Sequence, residues 1–253
     1  MEFLYFAVVG VLAGLIASLL GLGGGVIVVP YMVFFEHVEP QIAVGVSVVV
    51  VLLSTTSGAV GYIREKMACL DAAWKFALGT IPGALLGSYA AEFLKGRVFY
   101  IVFGILFLCI SLNLYTKSKR KANDKDMQVP EHYNWPLGVV CAMFGGFIAS
   151  ILGIGGGVIH VPVMVYILKF PIKIAIATCS CIMAVSAVAG AASHAYFGHV
   201  LWIPAIGIGL GAIVGAQIGV KISKRIKSSV LTLMTSILML YMGIRFLLTA
   251  YQM

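Results

Sequence analysis

Ala17-Ser18-Leu19-Leu20-Gly21-Leu22-Gly23-Gly24-Gly25-Val26-Ile27-Val28-Val29-Pro30 returns as Ala149-Ser150-Ile151-Leu152-Gly153-Ile154-Gly155-Gly156-Gly157-Val158-Ile159-His160-Val161-Pro162, identical at eleven of fourteen positions and displaced by 132. Agreement of that length is an internal duplication, and it makes each half of the chain one structural unit. In both copies the glycines end one apolar run and open another. The local expectation is therefore a helix, a sharp turn and a second helix whose first backbone amides are free.

Outward from this stretch the chain is almost wholly apolar. Of 253 residues 61% are hydrophobic and 10% charged, with a mean hydropathy of +1.07. A water-soluble globule needs about 25% charged residues, so lipid is the expected solvent. Ten apolar stretches follow, over 3-20, 24-36, 41-60, 72-94, 98-115, 136-152, 156-168, 172-194, 201-220 and 229-250. The second and seventh, at about 13 residues, rise only about 20 Å, short of a hydrocarbon core of about 30 Å. The reading is an all-α polytopic membrane protein of two repeats, 1-115 and 136-253, each of about five helical segments with short broken helices at the glycine motifs. The polar interval 116-135 joins them as a linker. Gly79, Gly83 and Gly87 are matched to Gly207, Gly211 and Gly215, at a displacement of 128 that implies a loop shortened by four residues. With Gly219, these ladders at four-residue spacing read as close helix packing, within the molecule or in a homodimer.

The net charge of +8 would suggest nucleic acid in a soluble chain, but here the basic residues lie between apolar runs and report topology instead. If each half crosses the membrane an odd number of times and the linker is cytoplasmic, 14 of the 17 Lys and Arg fall on the linker's side. Only Lys95, Arg97 and Arg245 fall opposite. Four crossings per half divide them 9 to 8. The bias predicts inverted repeats with both termini outside the cytoplasm. Met1-Glu2-Phe3 lacks the basic segment and cleavage site of a signal peptide, so the first apolar run is expected to stay.

The glycine motif fails the dinucleotide pattern, having Val26 where a third glycine belongs, and lacks the Lys-Ser/Thr ending of a P-loop. What it offers is a helix N-terminus, which attracts anions. Two such termini related by a pseudo-two-fold would face one central cavity.

The duplicated Gly-Leu-Gly-Gly-Gly-Val and Gly-Ile-Gly-Gly-Gly-Val runs with Pro30 and Pro162, the glycine ladders and the two-half layout resemble the sulfite exporter TauE/SafE family, also called the 4-toluene sulfonate uptake permease family. The resemblance covers nearly the whole chain. It implies a plasma-membrane permease for sulfite, sulfonates or related sulfur anions, with sulfite export by alternating access expected first. An anion channel and an organosulfonate uptake permease are the alternatives.

The ionisable residues agree with an anion. All nine carboxylates, Glu2, Glu36, Glu39, Glu65, Asp71, Glu92, Asp124, Asp126 and Glu131, lie at or beyond segment ends, whereas a cation site would want one at mid-membrane. The candidate substrate-binding residues are Gly23, Gly24, Gly25, Gly155, Gly156 and Gly157, assisted by Ser47, Thr178, Ser180 and His160. Ser54, Thr55, Thr56, Ser57 and Ser186 are further hydroxyls on the same stretches, and Ser47 and Ser180 read as counterparts. His160 replaces Val28 of the first copy and could carry a proton beside an anion; His194 reads as interfacial. The five cysteines, Cys69, Cys109, Cys141, Cys179 and Cys181, form no CxxC pair, so neither a disulfide framework nor a metal site is expected, and no cofactor. No HExxH, paired aspartate or Gly-x-Ser-Gly run suggests an enzyme.

Overall fold

The computed structural model describes residues 2–93, 96–119, 129–130, 133–223 and 228–252. Much of the linker, with Arg120, Lys121, Asp124, Lys125, Asp126 and Glu131, lies outside the described residues, as do Lys95, Lys224, Arg225 and Lys227. The ten apolar stretches become ten helices among the described residues. They are α1 (Glu2–Leu20), α2 (Gly25–Phe34), α3 (Pro40–Arg64), α4 (Leu70–Ala91) and α5 (Gly96–Lys119), then α6 (Trp135–Leu152), α7 (Gly157–Pro162), α8 (Ile172–Tyr196), α9 (Trp202–Ser223) and α10 (Ser228–Gln252). Six of them, α1, α3, α5, α6, α8 and α9, are long and apolar enough to cross a bilayer. α2 and α7 are short, as expected; α7 continues through a π turn, Val163–Ile167, that follows Pro162. Pro162 has no N–H for the preceding turn, and the chain absorbs the lost bond by widening.

The first helices of the two halves end 132 residues apart, at Leu20 and Leu152. The four helices after them start 132 apart, from Gly25 and Gly157 to Gly96 and Ser228. This corrects the expected shift to 128: α4 and α9 stand in the same register as the rest, so Gly79, Gly83 and Gly87 match Gly211, Gly215 and Gly219, and no loop is shortened. The packing agrees. A Cβ at Gly79, Gly83 or Gly87 would run into the carbonyls of Val139, Met143 and Phe147 on α6. At Gly211, Gly215 and Gly219 it would meet those of Ala7, Val11 and Leu15 on α1, the same positions 132 earlier. The ladders thus pack helices within the molecule, each joining a helix of one half to a helix of the other.

These contacts also give directions. α4 runs the same way as α6, and α1 the same way as α9, because paired residues advance together. α3 and α8 run oppositely, with His199 against Gly45, Gly190 against Val48, and Thr178 bonded to Cys69 just past the end of α3. α5 and α10 are also antiparallel. Ser111 and Ser236 exchange hydroxyl-to-carbonyl bonds of 2.8 Å, and a core of Phe99, Phe103, Phe107 and Phe246 fills the seam. Large apolar side chains such as Leu4, Trp74, Leu86, Ile203 and Leu248 stay exposed on the outer faces, where a bilayer would cover them.

Candidate functional site

Each glycine turn begins where its helix ends. Gly21 and Gly153, both at φ +64, reverse the chain, and Gly23 and Gly155, both at φ +76, repeat the move. Side chains other than glycine rarely adopt such values, which explains why these four positions are glycine in both copies. Gly24 and Gly156 are then the N-caps of α2 and α7, and neither receives a side-chain cap. The first amides of both helices are left for whatever lies beyond them.

The two turns lie against each other and run antiparallel. A Cβ at Gly23 would come within 3.1 Å of Gly155 Cα, and one at Gly25 or Gly157 would overlap the carbonyl oxygen of Gly153 or Gly21 respectively. Gly25 and Gly157 are therefore required by close approach of backbone to backbone. Each turn is also held from the side by the opposite half. Ser47 on α3 donates its hydroxyl to the Gly153 carbonyl at 2.5 Å, and Cys179 on α8 donates its thiol to the Gly21 carbonyl at 3.7 Å. Cys179 lies 132 positions beyond Ser47, so it, rather than Ser180, is the counterpart of Ser47. Ser180 bonds the carbonyl of Ile176 within its own helix, and the Thr178 hydroxyl accepts the backbone N–H of Cys69, fixing the start of α4.

A cavity adjoins the second turn. It holds some 310 Å3 of empty space, its open mouth included, and is lined by Gly146, Ala149, Ser150, Gly155 and Gly156, by Val48, Val51 and Ala84, and by Met183, Ser186, Ala187 and Gly190. Its lining takes Gly155 and Gly156 from the second turn and no residue from the first. The wall is mostly apolar, with polarity supplied by the turn and by two serines. Ser186 Oγ is bonded to the Met183 carbonyl, whereas Ser150 Oγ is buried with no hydrogen-bond partner. Sequence reasoning passed over Ser150 although it stands in the repeated stretch itself.

His160 is buried, with Nε2 3.3 Å from the Ala142 carbonyl and Nδ1 unpartnered. Its ring fills the space over Gly145 and Gly156, where a Cβ on either glycine would strike it. His194, expected at an interface, is fully buried and hydrogen-bonded through both ring nitrogens. Of the described carboxylates, Glu36 and Glu39 lie between α2 and α3, Glu65 and Glu92 cap α3 and α4, and Asp71 opens α4 in an exposed ion pair with Lys75. Among the described residues no cluster of metal-ligating side chains occurs.

An all-helical chain with six membrane-length helices, paired broken helices and a polar-tipped apolar cavity has the build of a multi-pass membrane transporter. Similarity identifies the group. The chain matches the family described as Sulfite exporter TauE/SafE over residues 6–246 and belongs to that family. It is 32% identical to the probable membrane transporter protein YunE of Bacillus subtilis, over 96% of both chains. It is 25% identical to the probable membrane transporter protein MJ0441 of Methanocaldococcus jannaschii, over 95% of this chain and 94% of that one. No solved structure matches the chain.

Proposed function

We propose that the protein is a permease for a small sulfur oxyanion, exporting sulfite by alternating access. The observation that carries this reading is the pair of uncapped helix N-termini brought together at the glycine turns, with the described carboxylates at helix ends. Helix dipoles and free amides favour negative charge there, and none of the described carboxylates lies at the turns. On this reading the anion meets Gly155 and Gly156, with Ser150 at hand, in one state of the cycle, and Gly23 and Gly24 in the other. Gly25, Gly157, Ser47, Thr178 and Ser180 hold the frame, and His160 flanks the second turn.

The antiparallel packing of α3 on α8 and of α5 on α10 supports inverted repeats, as does the charge bias of the loops. The bodies that move are then not the two halves of the sequence. α1 lies on α9 and α4 on α6, so each moving body draws helices from both halves. Single cysteines at Ser118 and Gln252, in a background freed of the native five, should label from opposite sides of the membrane; labelling from one side removes the inverted arrangement.

Proteoliposomes supply the test of substrate. Labelled sulfite should enter saturably, be displaced by related sulfur anions, and accumulate against its gradient when a driving ion is present. Accumulation separates a carrier from an anion channel. Competition by organic cations or neutral solutes alone would sink the anion reading.

A further inference from the structure

Behind the wall of the cavity two histidines stand in series. His194 Nε2 lies 3.1 Å from the Ser150 carbonyl, His194 Nδ1 lies 3.2 Å from His199 Nδ1, and His199 Nε2 lies 3.7 Å from a Glu92 oxygen. The row runs from a fully buried ring to a carboxylate whose side chain is 40% exposed. We propose that His194 and His199 form the proton-binding site of the transporter, with Glu92 at its open end, and that a proton held there and an anion in the cavity favour each other's binding. The inference rests on the anion reading above and names the coupling ion for it.

The hydrogen bonds fix where protons sit. A carbonyl only accepts, so His194 Nε2 carries hydrogen and its Nδ1, in the neutral ring, offers a lone pair. His199 Nδ1 must therefore be the donor between the two rings, which leaves the lone pair of His199 Nε2 facing Glu92. A proton arriving there makes His199 a cation, and its Nδ1 proton can then pass to His194 Nδ1. The result is a His194 imidazolium donating to the Ser150 carbonyl and to His199, a neutral His199 with its hydrogen toward Glu92, and one added positive charge.

Ser150 links this pair to the cavity. Its carbonyl takes His194 while its hydroxyl, buried and unpartnered, lines the cavity beside Gly155 and Gly156. A buried hydroxyl left without a partner costs free energy that a ligand oxygen would recover. A cation one residue behind that hydroxyl and an anion in front of it attract one another across a medium of low dielectric.

The other half of the molecule shows that the contact does not itself require histidine. The position 132 before His194 is Tyr62, whose hydroxyl donates to the carbonyl of Ser18 at 2.6 Å, and Ser18 is the counterpart of Ser150. A phenol has its ordinary pKa near 10 and does not change charge near neutrality. Met67 stands where the second half has His199. One half thus keeps the bond with a group that does not titrate, and the other makes it with a pair that does.

The elements packed against α8 bring few other ionisable groups among the described residues. α3 has none between Pro40 and Gly61, α6 has Cys141, and α9 has none before Lys221. α4 brings Tyr89 and Glu92 at this end, α7 and its π turn bring His160 and Tyr166, α1 carries Glu2 and Tyr5 in its first turn, and α8 itself adds Tyr196 here with Lys173, Cys179 and Cys181 toward its other end.

Sulfite affinity of the purified protein, measured between about pH 6 and about pH 8, tests the coupling. The wild type should gain at least about fivefold more affinity on acidification than His194→Gln, whose amide still donates to Ser150, since proton and anion each tighten the other by one factor. His194→Tyr, which copies Tyr62, should behave as His194→Gln does, and equal pH dependence in the wild type and both variants overturns the proposal. Absence of sulfite binding to the wild type would instead sink the substrate reading. The proton site is then decided without substrate, by nitrogen NMR of labelled histidines. Removing His199 as His199→Gln should shift the titration of His194 Nδ1; a His194 signal indifferent to His199 overturns the pair.

Discussion

The two glycine turns share their φ angles to the degree, yet their surroundings differ. Over Gly24 lies the small Cβ of Ala13, which an added Cβ would meet at 3.4 Å, an ordinary contact. Over Gly156 lies the ring of His160, which the same atom would strike. The first turn runs into an α2 of ten residues, while the second runs into six residues of α7 and a π turn. Backbone geometry was thus held through duplication while the side chains around it diverged. The cavity, the unpartnered serine and the histidines all lie on the diverged side.

Three experiments press on that comparison. The largest effect should be the symmetric one. Gly25→Ala and Gly157→Ala each push a Cβ into a backbone carbonyl that cannot turn aside, and both should cost about 3 kcal/mol or more and abolish monodisperse protein on size exclusion. If one folds normally, the back-to-back contact of the turns is not what the symmetry implies. Next comes the asymmetric pair. Gly156→Ala should lower the melting temperature through its collision with His160, and adding His160→Val should restore it, while Gly24→Ala should leave stability within about 0.5 kcal/mol of wild type. Gly24→Ala is accordingly the clean probe of sulfite binding at a turn, and equal destabilisation by the two single variants would erase the distinction. The smallest effects concern the hydroxyls. Ser47→Ala strands the Gly153 carbonyl and should cost about 1 to 2 kcal/mol in denaturation, whereas Ser180→Ala removes only an intrahelical bond and should stay within about 0.5 kcal/mol. A reversed order would return Ser180 to the place first expected of it.

Segment count and order were legible because duplicated glycines and long apolar runs report backbone and solvent directly. Register was harder. A ladder with glycine at every fourth position matches itself when slid by four, so Gly79 could be set against Gly207 as easily as against Gly211; the helix starts and the carbonyls of Val139 and Ala7 across the interface separate the two. Polar counterparts were obscured for a related reason. Ser47 suggests a hydroxyl as its match and Ser180 supplies one, whereas the displacement of 132 leads to Cys179, a thiol making the same bond. Ser150 was visible in the opening stretch, but nothing in a sequence says that a serine lacks a partner. His194 meets His199 beyond the end of its own helix and Ser150 on α6, contacts that hydropathy does not report.

The pairing of α1 with α9 also bears on how the chain is made. Residues 7, 11 and 15 leave the ribosome some two hundred residues ahead of the glycines that receive them, Gly211, Gly215 and Gly219. The first helix must wait in the bilayer, its small-residue face covered by lipid or by an insertion factor, until the ninth arrives. Assembly therefore closes late and over a long stretch of sequence, which makes it slow by the logic of contact order. A chain stopped before α9 would leave α1 without its partner, a form that membrane quality control should recognise and remove.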